Sequence, residues 1–390
     1  MVASPNPTGE SSPEEWAGVA RDERRHSRRR YSLPLKLCIC LLSLLIALAV
    51  AEIAVRLLPE KVLGFTYRDG FFLPARQRER DTFRNALGRH DVEHELQKPP
   101  SVRRVLLLGD SYVAAGVVDV SEIPGQRMEH YLNTGSDRRY EVISLGKGNW
   151  GQRAELDVFQ RVGQGFAPDI VVTLFLSFND VENSSPALSD RARQHRLKQG
   201  SARPGRTRVP AEDMPLLVLR WSVLNQLLSY RLAYFYRDKT VAGIPPSYYV
   251  YAREQDEEWR AAWQATEDLI LQTKAAANAI GARYVVVAAS TPHGVWGAEE
   301  GLRRLMVEYP GMKDLEWDLD QADRRMERLC QENDIPFLAL EPLFRIETAK
   351  GRRLHFPVNG HWNPEGNDLA GRLMAEFLLR LERSRETGRP

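Results

Sequence analysis

Five short segments carry residue types suited to acyl transfer. They are Gly109-Asp110-Ser111-Tyr112, Gly146-Lys147-Gly148-Asn149-Trp150-Gly151, Ser177-Phe178-Asn179-Asp180, Ser290-Thr291-Pro292-His293-Gly294 and Asn359-Gly360-His361-Trp362-Asn363-Pro364-Glu365-Gly366. A serine at a strand-to-helix turn can stand exposed as a nucleophile, but it needs a base to take its proton, and His361 can supply one. Backbone N–H groups of a Gly-rich loop, together with an Asn side chain, can bind an oxyanion. Each piece alone is weak, since Gly-Asp-Ser triplets arise often by chance. Their order is what informs: the first four each follow an apolar run that reads as a strand, and the last precedes a helix.

Those runs are Val105–Leu108, Glu141–Gly146, Asp169–Leu176, Arg283–Ser290 and the shorter Pro336–Leu340. Short all-apolar runs mark strands buried on both faces. Between them, Glu122–Leu132, Gln152–Val162, Glu257–Ala279 and Leu319–Glu332 carry apolar residues three to four apart, and a last helix is expected over Asn367–Leu381. Pro168, Gly281 and Pro336 punctuate the joins. Strands alternating with helices imply a parallel sheet covered on both faces, whose ligands lie beyond the carboxyl ends of the strands. The five segments fall on that rim.

Here the residues resemble a family. VLLLGDSYVAAGVV, VISLGKGNWGQRAEL, PDIVVTLFLSFND and NGHWNPEGNDLAGRL look like the four blocks of the SGNH/GDSL hydrolases, specifically the bacterial membrane-tethered group with an N-terminal apolar helix. The resemblance runs from about Val102 to the C-terminus, with a gap over 183–260. It implies a flavodoxin-like three-layer α/β/α sandwich with a mostly parallel sheet, preceded by one transmembrane helix. It makes Ser111 the nucleophile and His361 the base. The oxyanion hole would take the Ser111 N–H, the backbone N–H of Gly148 or Asn149, and the Asn179 side chain. No cofactor and no metal are implied.

One departure from the pattern matters. The family has an Asp two or three residues before the His, where this chain has Val358 and Asn359. Asn359 cannot stabilise an imidazolium as a carboxylate does. Either the pair works as a Ser–His dyad with the ring oriented by a backbone carbonyl, or another acid serves, with Asp180 and Glu365 as candidates. Asp110 is expected to cap the turn or the following helix. Packing roles are expected for His293, Trp150 and Trp362.

The N-terminus bears on compartment. Residues 1–33 are rich in Ser, Pro and charge and read as a disordered cytoplasmic tail, ending in Arg21, Arg24, Arg25, Arg28, Arg29 and Arg30. After Lys36 come fifteen uncharged residues from Leu37 to Ala51, and the apolar character continues to Leu58, 22 residues in all. A helix needs about 20 to cross a bilayer. Two readings stand: a signal anchor over 34–58, contacting the membrane through Leu35–Leu58, or a secretory signal cut after Ala49-Val50-Ala51. Both put the arginines inside and the rest outside. Residues 59–100 read as a lead-in packed on the domain surface, and 101–390 as the hydrolase domain. That domain carries a basic, helical insertion at about 183–260: a polar loop over 183–216, then an amphipathic helix over Leu216–Arg237.

Composition narrows the classes further. Lys+Arg 54 against Asp+Glu 52 leaves a net charge of +2, which argues against a dedicated nucleic-acid binder. Cys38, Cys40 and Cys330 form neither a disulfide framework nor a zinc motif. The expected function is a membrane-anchored extracytoplasmic serine esterase or O-acyltransferase acting on an acylated cell-surface or exported glycan. The alternative is a catalytically weakened glycan-binding protein on the same fold.

Overall fold

The computed structural model describes residues 32–57, 65–68, 71–74, 84–202, 243–356 and 360–386. The expected tail up to residue 31, the helix expected at Leu216–Arg237, and Asn359 lie outside the described residues. The chain divides into two compact units, Met1–Leu58 and Pro59–Pro390.

In the first unit, Leu33–Leu57 forms one helix. Its stretch Leu33–Ala54, 22 residues, is long and apolar enough to cross a membrane. Apolar side chains such as Leu37, Leu41, Leu44, Leu48 and Ile53 are exposed around it, so it has no polar face to turn toward water.

The second unit begins, among the described residues, with an antiparallel hairpin of β1 (Phe65–Arg68) and β2 (Phe71–Pro74). Its main sheet holds β3 (Val102–Gly109), β4 (Arg139–Gly146), β5 (Ile170–Phe175), β6 (Arg283–Ala288) and β7 (Phe337–Ala339). All neighbours pair in parallel, in the order β4-β3-β5-β6-β7. Counted along the chain this is order 2-1-3-4-5, a doubly wound sheet whose direction of winding reverses beside β3.

The apolar runs are buried on both faces because side chains alternate along a strand. From β3, Leu106 and Leu108 join a core with Trp259, Trp263 and Met326 from helices Glu257–Ala279 and Gln321–Glu332. Val105 and Leu107 join the opposite core with Met128, Leu132, Met374 and Leu378 from helices Pro124–Thr134 and Pro364–Glu386. These are the two helical layers of an α/β/α sandwich. The five expected strands are present, as are the helices expected at Glu122–Leu132, Gln152–Val162, Glu257–Ala279, Leu319–Glu332 and Asn367–Leu381, with shifted ends.

One stretch differs. The polar loop expected from residue 183 is helical over Ser177–Ser184 and Pro186–Ala202. The second helix lacks an apolar period but is built from strong helix formers, and Leu188 and Ala192, four apart, anchor it in the domain.

The sheet edge is closed by side chains of the helix Pro124–Thr134 and of the segment just before β3. At the edge strand β4, the N–H groups of Tyr140, Val142 and Ser144 donate to Asn133 Oδ1 (2.8 Å), Glu129 Oε2 (2.7 Å) and Asp91 Oδ2 (2.7 Å). Side chains thus satisfy an edge that would otherwise template pairing with another chain. His94 lies between carboxylates, with Nδ1 2.8 Å from Glu141 Oε1 and Nε2 3.1 Å from Asp91 Oδ2. Burial alone would lower its pKa, but hydrogen bonds to and charges on Asp91 and Glu141 hold it above the ordinary value.

Candidate active site

Ser111 opens the short helix Ser111–Ala114 directly after β3. Two glycines let that helix sit low on the strand ends. Gly109 and Gly146 are register partners, and a Cβ at either would strike Val113. Asp110, fully buried, caps the helix by accepting from Tyr112 N (2.8 Å).

His361 lies 250 residues away in sequence, yet its Nε2 is 2.9 Å from Ser111 Oγ. It sits on a turn closed by Phe356 N donating to His361 O (2.7 Å) and Gly360 N donating to Phe356 O (3.0 Å), with Gly360 at φ +75°. Tyr112 anchors this turn. Its hydroxyl donates to Gly360 O at 2.8 Å and its ring centroid lies 5.3 Å from that of His361. Trp362 is buried beneath and donates through Nε1 to Ser290 Oγ (2.9 Å).

The second segment forms a turn beside the serine. Lys147 N donates to Gly109 O (3.4 Å) and Trp150 N to Lys147 O (3.2 Å). A Cβ at Gly148 would lie 3.9 Å from Ser111 Cβ. Asn149 takes φ +61°, a left-handed conformation that Asn tolerates better than most residues. The third segment begins the helix Ser177–Ser184. Asn179 Nδ2 donates to Asp110 Oδ2 at 3.0 Å, so one carboxylate reaches both the serine (3.1 Å) and the amide. The Ser111 hydroxyl has one proton and two acceptors, Asp110 Oδ2 and the nearer His361 Nε2. When that proton points to His361, the pair is set for general-base activation of the oxygen.

Ser111, His361, Gly148, Asn149, Asn179 and Asp110 therefore converge. Asp180 does not. It is fully buried beneath its helix; Oδ2 accepts from Leu176 N (2.8 Å) and Gln152 Nε2 (3.2 Å) while Oδ1 has no partner. Its described bonds thus go to Leu176 and Gln152 rather than to the rim where His361 stands. Asn179 and Asp180 are adjacent in sequence, but successive helix residues point about 100° apart, so one faces the rim and the other the interior. Glu365 instead faces Arg352 at 3.5 Å. His293 is bonded through Nε2 to Tyr248 OH (2.8 Å), and burial lowers its pKa to about 4. That fits the expected packing role. His355, bonded to Ser290 O (3.3 Å), is likewise pushed to about 4 by burial.

Tyr112 was missed as a site residue, although it stands next to the serine. The lead-in was missed as well: His90 Nδ1 lies 3.1 Å from Ala114 O, at the end of the nucleophile helix. No sequence signal marks it.

No protein-family model matches the chain, and no curated protein matches it. Solved structures do. The chain is similar to an acetylxylan esterase from Geobacillus stearothermophilus, at 13% identity over 73% of this chain and 95% of that one, with a TM-score of 0.40. It is similar to a GDSL-like lipase from Bacteroides thetaiotaomicron, at 12% identity over 72% and 89%, with a TM-score of 0.33.

Proposed function

We propose that the protein is a serine esterase or O-acyltransferase of the SGNH/GDSL type. The observation that carries this reading is the 2.9 Å contact between Ser111 Oγ and His361 Nε2 at the switch point of the sheet. Ser111 Oγ attacks the ester carbonyl as its proton passes to His361 Nε2. The tetrahedral oxyanion is held by the N–H groups of Ser111 and of Gly148 or Asn149, and by the Asn179 N–H left over from its bond to Asp110. Collapse breaks the ester C–O bond, and His361 returns the proton to the leaving alkoxide. Water, or a sugar hydroxyl in the transferase case, then attacks the acyl-enzyme by the reverse sequence. The substrate class is an acylated carbohydrate, in line with the family resemblance and with what the neighbouring esterases act on.

The full-length chain in detergent micelles tests this. A fluorophosphonate probe should label the wild type and not Ser111→Ala, and Ser111→Ala should keep under a few per cent of the wild-type hydrolysis of p-nitrophenyl acetate. Labelling that survives the substitution removes Ser111 from the role. No labelling and no hydrolysis in the wild type would favour the glycan-binding alternative.

The proposed topology places the arginine cluster in the cytoplasm, the helix Leu33–Leu57 across the membrane, and the second unit outside. The arginine bias before the apolar helix supports it. A reporter active only outside the cytoplasm should be active when fused after Pro390 and silent on the N-terminus. The reverse pattern would overturn both localisation and the choice of an exported substrate.

A further inference from the structure

Beside the proposed oxyanion loop stands a cation that the acyl-transfer mechanism does not use. Arg89 belongs to a turn that bonds to itself. Asn85 Oδ1 accepts from Leu87 N (3.1 Å) and Arg89 N (2.9 Å), Asn85 N donates to Arg89 O (3.0 Å), and Asn85 Nδ2 donates to Val92 O (3.1 Å). The turn is docked at two points, one on the nucleophile helix and one on β4. His90 reaches the Ala114 carbonyl at the end of the nucleophile helix, and Asp91 takes the Ser144 N–H from β4. A rigid loop therefore presents Arg89.

Its guanidinium carbon lies 4.5 Å from the centre of the Trp150 ring. Trp150 is two residues beyond Gly148, the residue that abuts Ser111. Among the described residues Arg89 has no carboxylate partner, and its Nε is buried without any hydrogen-bond partner. Three other arginines withdrawn from water in the same unit do have carboxylate partners: Arg103 with Asp169 and Glu382, Arg104 with Glu141, Arg345 with Glu341. Burial lowers the Arg89 pKa. A cation partly withdrawn from water without a counter-charge is costly, and an arriving anion offsets that cost. Lys147, exposed in the oxyanion loop, adds a second positive charge nearby. A guanidinium is planar and matches a carboxylate with two parallel N–H donors.

The geometry points to Arg89 as a specificity-determining residue that binds a carboxylate carried by the ester substrate, so that the substrate is an acylated acidic sugar. This rests on the reading of Ser111 as the nucleophile. The subsite lies on the acid-sugar side of the ester, because the acyl carbonyl must sit between Ser111 and the oxyanion donors while the charge sits over Trp150.

Two probes test it: acetylated methyl glucuronoside and acetylated methyl glucoside, which differ in one carboxylate. Binding is read in the full-length Ser111→Ala chain in neutral detergent, so that the subsite and the nucleophile can fail separately. The charged probe should bind about tenfold or more tightly than the neutral one, a scale expected of a charge-assisted pair. Arg89→Gln should bring the ratio of the two dissociation constants close to one, Arg89→Lys should keep part of the preference, and added salt should erode it. In the chain with Ser111 intact, kcat/KM should show the same preference. If neither probe is hydrolysed but the binding preference depends on Arg89, the nucleophile reading falls and the subsite stands. Equal binding of both probes, no binding of the charged probe, or a preference that survives Arg89→Gln overturns the subsite and leaves Arg89 as a stacking residue on Trp150.

Discussion

Two buried acidic clusters lie at the carboxyl ends of the sheet strands, and they are balanced differently. At the ends of β6 and β7, Glu341 Oε2 accepts from Thr291 N (3.2 Å) and Thr291 Oγ1 (3.0 Å), while Arg345 donates to Glu341 Oε1 (2.7 Å), to Asp320 and to Gly294 O (2.6 Å). Burial alone would lower the Arg345 pKa. The hydrogen bond to Asp320 and the charges of Glu341, Asp320 and Asp323 hold it above its ordinary value. Beneath the nucleophile, Asp110, Asp180 and Glu155 are all buried, and their described partners include no Arg or Lys: Asp180 and Glu155 share the amide of Gln152, at 3.2 and 3.4 Å. Asp180 Oδ1 and Glu155 Oε2 have no partner. Burial first raises both acids well above the carboxylate range; the charge of Asp110 adds to it for Glu155, and the charges of Glu155 and Asp110 add to it for Asp180. The first cluster holds a fixed cation, Arg345, beside acids that burial also raises, Glu341 and Asp323. The second holds no such cation, and burial favours the protonated forms of Asp180 and Glu155. A proton needs no side-chain volume, so Asp110 keeps its bonds to Ser111 and Asn179 with no arginine drawing it away.

Removing the cation should break the first cluster outright. Arg345→Met leaves Glu341 and Asp320 without a counter-charge, and taking one partner from a largely buried pair costs about 3 kcal/mol or more. Chemical unfolding of the full-length protein at pH 7 measures it. Adding Glu341→Gln to Arg345→Met should recover part of the loss, since the stranded charge is then gone. A single-variant loss within about 0.5 kcal/mol, the usual range for surface changes, would mean that water already screens the cation and the contrast between the clusters is false.

Neither cluster was legible as a unit in the sequence. Glu341 and Thr291 are 50 residues apart, and only the pairing of β6 with β7 brings their carboxyl ends together. The strands themselves were legible, because a strand buried on both faces must be apolar throughout. The rim positions of Ser111, Asn179 and His361 were readable too, each tied to the end of a strand or the start of a helix, while their roles belong to the proposal. Asp180 misled because adjacency in sequence is not adjacency in a helix. Pro186–Ala202 was unreadable for the opposite reason: its helix is specified by propensity and two buried contacts, without the apolar period that sequence reading depends on. Arg89 and His94 lie in a segment of mixed composition, where position comes from what the turn is docked against.

The smallest effect tests the protonated cluster, and it should have the opposite sign to the loss at Arg345. Glu155→Gln keeps the shape, removes an acid that burial forces to stay neutral, and supplies amide donors that an ionised glutamate lacks. Because the folded-state pKa is raised, the folded protein holds a proton that the unfolded chain releases above about pH 4. The unfolded state then binds fewer protons, so wild-type stability falls as pH rises from there toward the folded-state value. The glutamine chain lacks this term. The two proteins should be equally stable near pH 4, and the variant should be the more stable by about 1 kcal/mol at pH 8, an order typical of relieving one buried polar mismatch. Unfolding curves at both pH values decide it. A gain of the same size at both would be a packing effect unrelated to the proton. Wild-type stability that rises between pH 4 and pH 8 while the variant's stays level would show that Glu155 is stabilised as the anion by a group outside the pairs described. The two clusters would then be alike in carrying charge, and the proton beneath Ser111 would have to be abandoned.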